Sequence, residues 1–257
     1  MMKSPQEYRY LYGLIGYPLV HSFSRIFFNS KFETEGIDAQ YINFEIENVE
    51  LLPEIIAAHP NLRGLNVTAP YKEAVIPYLD SLDDDAREIG AVNVIKCIHD
   101  SRTDKIVELR GFNSDVVGFG QTMESITLPE GTRAMVLGTG GAAKAVSVAL
   151  RKRGIEVQLV SRRKSEHTLV YEEITRAMVA NYRLIINATP VGKYPDDHQC
   201  PDFPYRFLTA QHFCYDLIYN PEETLFMKHA AQYGAKTKNG LEMLLLQAFS
   251  SYEIWTM

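Results

Sequence analysis

The chain has 257 residues, 46% of them hydrophobic and 23% charged, with a formal net charge of −6. That length supports one large domain or two modest ones with real cores. The acidic balance argues against a general nucleic-acid binder, which carries a basic face, and no apolar run approaches the roughly 20 residues that span a bilayer.

In chain order, residues 10–15 read as a first strand closed by Gly16-Tyr17-Pro18. Residues 21–34 carry apolar side chains at helical spacing (Ile26, Phe27, Phe32) behind Ser22 and Ser24, residue types that start helices. Residues 41–46 alternate as a strand does. A helix over 49–58, a strand over 62–67, and helices over 71–79 and 83–89 follow. Residues 92–98 and 106–112 pair like a hairpin around the polar loop 99–105. The first 115 residues therefore alternate β and α, as an open α/β sheet does.

Residues 115–126 resume a helix, and 128–131 connect it to a βαβ unit. Residues 134–137 are a short apolar strand, 138–141 a glycine turn, 142–152 a helix and 157–160 a second strand. The turn carries Gly138, Gly140 and Ala143 in a Gly-x-Gly-x-x-Ala pattern. Such glycines let backbone N–H groups approach a pyrophosphate at a helix N-terminus. An NAD-binding unit places a carboxylate after the second strand to hold the ribose 2′-hydroxyl. Here Ser161-Arg162-Arg163-Lys164 stands there, and guanidinium groups suit a 2′-phosphate, so the expected cofactor is NADP.

Further on, residues 171–181 form a helix, 184–187 a strand, 213–219 a strand and 222–233 a helix. A strand after each helix predicts a parallel, doubly wound sheet. Residues 241–255 make an apolar final helix. The first 18 residues lack a signal-peptide core and cleavage site. Cys97, Cys200 and Cys214 match neither a zinc pattern nor a disulfide framework. The expectation is a cytoplasmic protein with inert thiols and no metal.

Short polar groups collect where strands end in the first half: Ser22 and Ser24, Asn66, Thr68 and Lys72, and Asn113-Ser114-Asp115. Taken singly, the serines and Asp115 are helix caps and Lys72 a solvated lysine. Together they mark a site, because ligands bind outside the carboxyl ends of strands in such sheets.

These same segments resemble the shikimate dehydrogenase family over nearly the whole chain. Gly16-Tyr17-Pro18-Leu19-Val20-His21-Ser22-Phe23-Ser24 resembles its opening, and Asn66-Val67-Thr68-Ala69-Pro70-Tyr71-Lys72 its N-V-T-x-P-x-K segment. Gly90-Ala91-Val92-Asn93, Gly111-Phe112-Asn113-Ser114-Asp115, Asn187-Ala188-Thr189-Pro190-Val191-Gly192 and Asn239-Gly240-Leu241 through Gln247 follow in the family's order. Arg25 and Phe28 depart from its usual residues after the serines, and Glu166 replaces a basic residue on the adenosine side.

The resemblance implies two α/β domains: 1–115 with 238–257 for substrate, and a Rossmann-like 116–237 for NADP, with the active site in the cleft between them. It implies that Ser22, Ser24 and Tyr219 hold the substrate carboxylate, and that Asn66, Thr68, Asn93 and Gln247 read the ring hydroxyls. Lys72 and Asp115 become the catalytic pair. Gly138, Gly140, Gly141 and Ala142 cradle the pyrophosphate, Ser161, Arg162 and Arg163 meet the 2′-phosphate, Thr189 and Pro190 flank the nicotinamide, and Gly240 lies near its carboxamide. The implied reaction is reduction of 3-dehydroshikimate to shikimate by a monomer or homodimer. A quinate dehydrogenase using NAD, and a non-catalytic NADP-binding sensor, are the alternatives.

Overall fold

The computed structural model describes residues 3–19 and 23–257. They form two compact units, Met1–Ser114 with Ala248–Met257, and Asp115–Gln247.

In the first unit, β1 (Tyr10–Gly16), β2 (Ala39–Glu45), β3 (Leu62–Val67), β4 (Ser81–Leu82), β5 (Val94–His99) and β6 (Ile106–Phe112) make one sheet in the order β2-β1-β3-β5-β6-β4. β1 pairs in parallel with β2 and β3. The sheet is mixed, because β5 runs antiparallel to both β3 and β6. The helices are α1 (Phe23–Thr34), α2 (Leu52–Ala58), α3 (Tyr71–Ala74) and α4 (Asp84–Ile89).

Strand alternation sends side chains to two apolar layers. Leu11, Ile15, Leu52, Leu65, Tyr71 and Val75 belong to one layer. Tyr12, Leu14, Phe28, Phe32, Tyr41 and Trp255 belong to the other.

Two expected helices break where proline enters. The 71–79 stretch is α3 followed by a 3-10 turn over Ile76–Tyr78, since Pro77 has no N–H for the next helical bond. The 49–58 stretch is a 3-10 turn over Val49–Leu51 and then α2, with Pro53 in its first turn. Asp83 caps α4, its side chain accepting from the Ala86 N–H at 2.8 Å.

The second unit begins in α5 (Ser114–Thr122) and contains β7 (Ala134–Leu137), α6 (Gly141–Lys152), β8 (Val157–Ser161), β9 (Thr168–Val170), α7 (Arg176–Asn181), β10 (Leu184–Asn187), β11 (Phe213–Asp216), α8 (Leu225–Gln232) and β12 (Lys236–Lys238). These strands form a parallel sheet in the order β12-β11-β10-β7-β8-β9. Strand order reverses beside β7, flanked by β8 and β10, which is the switch point where doubly wound sheets bind ligands.

Edge strands β9 and β12 have three residues each, too few to show a period. The strand expected over 213–219 stops at Asp216, and the following helix starts only after Thr224, whose hydroxyl caps it by accepting from Met227 N–H at 3.3 Å. The helix expected over 171–181 divides into a turn and a Thr175-capped α7. α9 (Leu241–Thr256) closes the chain, its residues from Ala248 onward counted with the first unit. The three cysteines are free. Burial pushes the Cys97 thiol up to about 12 and raises that of Cys214 as well, which suits inert core residues.

Candidate functional site

In the first unit the polar strand ends meet in a buried hydrogen-bonded chain. Tyr41 lies on β2, fully buried and stacked on Phe28 with ring centroids 4.9 Å apart. Its phenol donates to Asn66 Oδ1 at 2.8 Å, and Ser24 of α1 hydrogen-bonds the same phenol. Burial holds the Tyr41 hydroxyl well above its ordinary range, so it stays protonated and able to donate.

Asn66, near the end of β3, spends its amide protons on Asn93 O at 3.3 Å and Ser251 Oγ at 3.0 Å. Ser251, from α9, is 3.1 Å from Ser114 Oγ. Ser114 is bound in turn to Asn93: its N–H donates to Oδ1 at 2.7 Å, and Asn93 Nδ2 donates to Ser114 Oγ at 3.1 Å. The Ser114 N–H fixes which end of the Asn93 amide is oxygen. Thus Ser24, Asn66 and Asn93, distant in sequence, share one array.

Thr68 is half-buried just beyond β3, its N–H donating to Ile15 O at 2.9 Å. Lys72, also half-buried, is the second residue of α3, and its carbonyl accepts from Val92 N–H at 2.7 Å. That bond ties α3 to the segment entering Asn93. Asp115 is 6% exposed and opens the second unit. It is the second residue of α5 rather than a cap preceding it, a place where the helix dipole favours a carboxylate. Ser22 lies outside the described residues.

In the second unit the glycine turn has the conformation its sequence suggests. Gly138 has φ of +116°, and a Cβ there would stand 3.1 Å from Ala188 O. Its N–H donates to Val160 O at 2.8 Å, carrying the β7–β8 ladder one step further. Gly140 precedes α6 in extended conformation, with open space where a side chain would be, and the first turn of α6 holds no acidic residue. Gly141 and Ala142 follow half-buried, and Ala143 is fully buried against the sheet. Open space above a helix start without acidic residues fits a pyrophosphate.

The pairing Leu137↔Val160 brings Ser161 beside that turn. Ser161 Oγ accepts from Arg163 N–H at 3.2 Å, and Arg162 and Arg163 are exposed. Lys164 is engaged in an ion pair with Glu173. The two arginines, with no carboxylate ending β8, fit a 2′-phosphate better than a bare ribose.

Beyond β10, Asn187 organises the next turn. Its Oδ1 accepts from Thr189 N–H at 3.1 Å and Thr189 Oγ1 at 2.7 Å, and its Nδ2 donates to Asp216 Oδ1 at 3.0 Å. Pro190 follows Thr189, exposed in the same turn. Asp216 also accepts from Ile218 N–H at 3.0 Å and Thr224 Oγ1 at 2.6 Å. Burial raises its carboxyl to about 6 against those three donors.

Tyr219 is half-buried, and burial raises its phenol. Gly240 is packed so that a Cβ would fall 2.0 Å from Leu217 O, which only glycine permits. Gln247 on α9 donates to Leu244 O at 2.9 Å.

Tyr41 and Ser251 were not marked by sequence pattern. Tyr41 reads as an ordinary strand aromatic and Ser251 as a helix serine, and only tertiary structure joins them.

The family model for the shikimate dehydrogenase substrate binding domain matches residues 14–95. A shikimate dehydrogenase (NADP+) of Desulforamulus reducens is 36% identical over 95% of this chain and 89% of its own. The crystal structure of shikimate dehydrogenase from Aquifex aeolicus aligns with a TM-score of 0.83 at 35% identity, covering 99% of this chain and 94% of its own. The Thermus thermophilus shikimate 5-dehydrogenase in complex with NADP(H) and shikimate aligns with a TM-score of 0.82 at 31% identity, over 96% of this chain and 93% of its own. With near-complete coverage at this identity, the chain belongs to the shikimate dehydrogenase family.

Proposed function

We propose that this chain catalyses the reversible, NADP-dependent reduction of 3-dehydroshikimate to shikimate, in the reducing cytoplasm that its free thiols suit. The observation that carries this reading is the near-complete match to relatives named shikimate dehydrogenase (NADP+). Both half-sites hold the residue types such a reaction needs.

Residues 1–115 with 238–257 serve the substrate and 116–237 serve NADP. Ser22, Ser24 and Tyr219 hold the carboxylate, while Asn66, Thr68, Asn93 and Gln247 read the ring hydroxyls. Gly138, Gly140, Gly141 and Ala142 accept the pyrophosphate on backbone N–H groups. Ser161, Arg162 and Arg163 receive the 2′-phosphate. Thr189 and Pro190 border the nicotinamide, and Gly240 its carboxamide.

When bound, the nicotinamide supplies the hydride to C3 in the reducing direction. A hydride alone leaves an alkoxide, so the protein must supply a proton or a compensating charge. Lys72 does this at the C3 oxygen, and Asp115 orients the ammonium and the adjacent hydroxyl.

The test is a four-way assay of shikimate or quinate with NADP or NAD, following appearance of the reduced nicotinamide. The highest kcat/KM is expected for shikimate with NADP. Preference for quinate with NAD overturns the assignment in favour of the sister dehydrogenase. Tight NADP binding without any turnover marks a sensor.

A further inference from the structure

In the array Ser24–Tyr41–Asn66–Ser251–Ser114–Asn93, two hydroxyls that no part of the mechanism uses, Tyr41 Oη and Ser251 Oγ, bear directly on Asn66. Both belong to fully buried residues. Each hydrogen-bonds Asn66, Tyr41 by donating to Oδ1 at 2.8 Å and Ser251 by accepting from Nδ2 at 3.0 Å. The Asn93 carbonyl, which can only accept, fixes which end of the Asn66 amide carries the nitrogen, and the two hydroxyls complete that orientation. With both amide protons committed to Ser251 and to Asn93 O, Asn66 can meet a ligand hydroxyl only as an acceptor.

Tyr41 also holds Ser24, and Ser251 continues through Ser114 to Asn93. One relay therefore ties a carboxylate-holding serine to two ring-reading amides. Such an arrangement reduces the rotamer freedom that would otherwise be lost on binding.

We propose that Tyr41 and Ser251 are positioning residues that hold Ser24, Asn66 and Asn93 in substrate-binding orientation. This rests on the reading of those three as substrate contacts.

The experiment is steady-state kinetics on Tyr41→Phe, Ser251→Ala and the double variant, with Leu52→Ala as a comparison. Tyr41→Phe removes one oxygen from a buried site and strands Asn66 Oδ1 and Ser24. A lost partner of this kind is expected to raise the KM for shikimate by about ten-fold. The KM for NADP and kcat should change less than about two-fold, since Lys72 and Asp115 are untouched. Ser251→Ala is expected to act in the same direction. Because both work through Asn66, the double variant should fall short of the product of the singles.

Leu52→Ala, in the opposite apolar layer, should lower the melting temperature and leave the shikimate KM alone. An unchanged shikimate KM in folded Tyr41→Phe or Ser251→Ala overturns the relay. So does an equal rise in Leu52→Ala, or a double variant that equals the product. If Tyr41→Phe does not fold, Ser251→Ala decides. Wild-type protein that neither turns over nor binds shikimate defeats the functional reading and the relay with it. Wild-type turnover with unaffected variants defeats the relay alone.

Discussion

In the roles proposed for them, the two units recognise ligands by different physical means. In the first, recognition rests on buried side-chain amides and hydroxyls, Asn66, Asn93, Tyr41 and Ser251, whose bonds join residues up to 185 positions apart. In the second it rests on backbone: Gly138 at φ +116° and the start of α6. A side-chain site can be dismantled one oxygen at a time while the fold persists. A backbone site is lost by adding atoms, because its partners are the peptide groups themselves.

The contrast is sharpest at Lys72, the group assigned to the C3 oxygen. Lys72→Ala is expected to lower kcat by ~10²–10⁴, the range for a positioned acid–base group, with a smaller change in KM. Steady-state kinetics with saturating NADP checks this. Near-normal kcat would remove Lys72 from the chemistry.

Gly138→Ala tests the backbone side. A side chain at positive φ costs roughly 1–3 kcal/mol, and the added methyl also presses on Ala188 O at 3.1 Å. The expected result is a KM for NADP raised by about ten-fold with the KM for shikimate unchanged, plus a lower melting temperature. That is the mirror image of the Tyr41→Phe pattern. A variant that raised both KM values equally would show that the two recognition modes are not separable.

Legibility in the sequence follows the same division. The strand–glycine–helix–strand run at 134–161 could be read from neighbours because its determinants are local: short apolar runs, glycines and a helix stop. The resemblance supplied Asn66, Lys72, Asn93 and Asp115 as residue types in order. What stayed invisible was the wiring. Nothing near Tyr41 distinguishes a phenol that donates to Asn66 from one facing a core, and Ser251 reaches that amide only because α9 returns to the first unit. β4, β9 and β12 escaped for a different reason, since two or three residues at a sheet edge carry no period. The helices over 49–58, 71–79 and 171–181 were read too long, because apolar spacing continues past the points where proline or a Thr175 cap divides them.

The smallest expected effect concerns Asp216, whose carboxylate steadies Asn187 and through it the Thr189 turn. Its carboxyl is raised by burial from the ordinary 3.8 to about 6 in the folded chain. The folded state therefore binds this proton more tightly than the unfolded state does. The stabilising contribution is complete below about pH 4 and is lost as pH rises through about 6. Between pH 7 and pH 5 it should add about 1 kcal/mol of stability to the wild type. Asp216→Asn cannot titrate, so this component of its pH slope should vanish, whatever stability it forfeits by losing one acceptor oxygen. Denaturant unfolding of both proteins at the two pH values isolates the difference in slope from the difference in level. Parallel slopes would mean that the three donors around Asp216 outweigh its burial and keep it charged throughout.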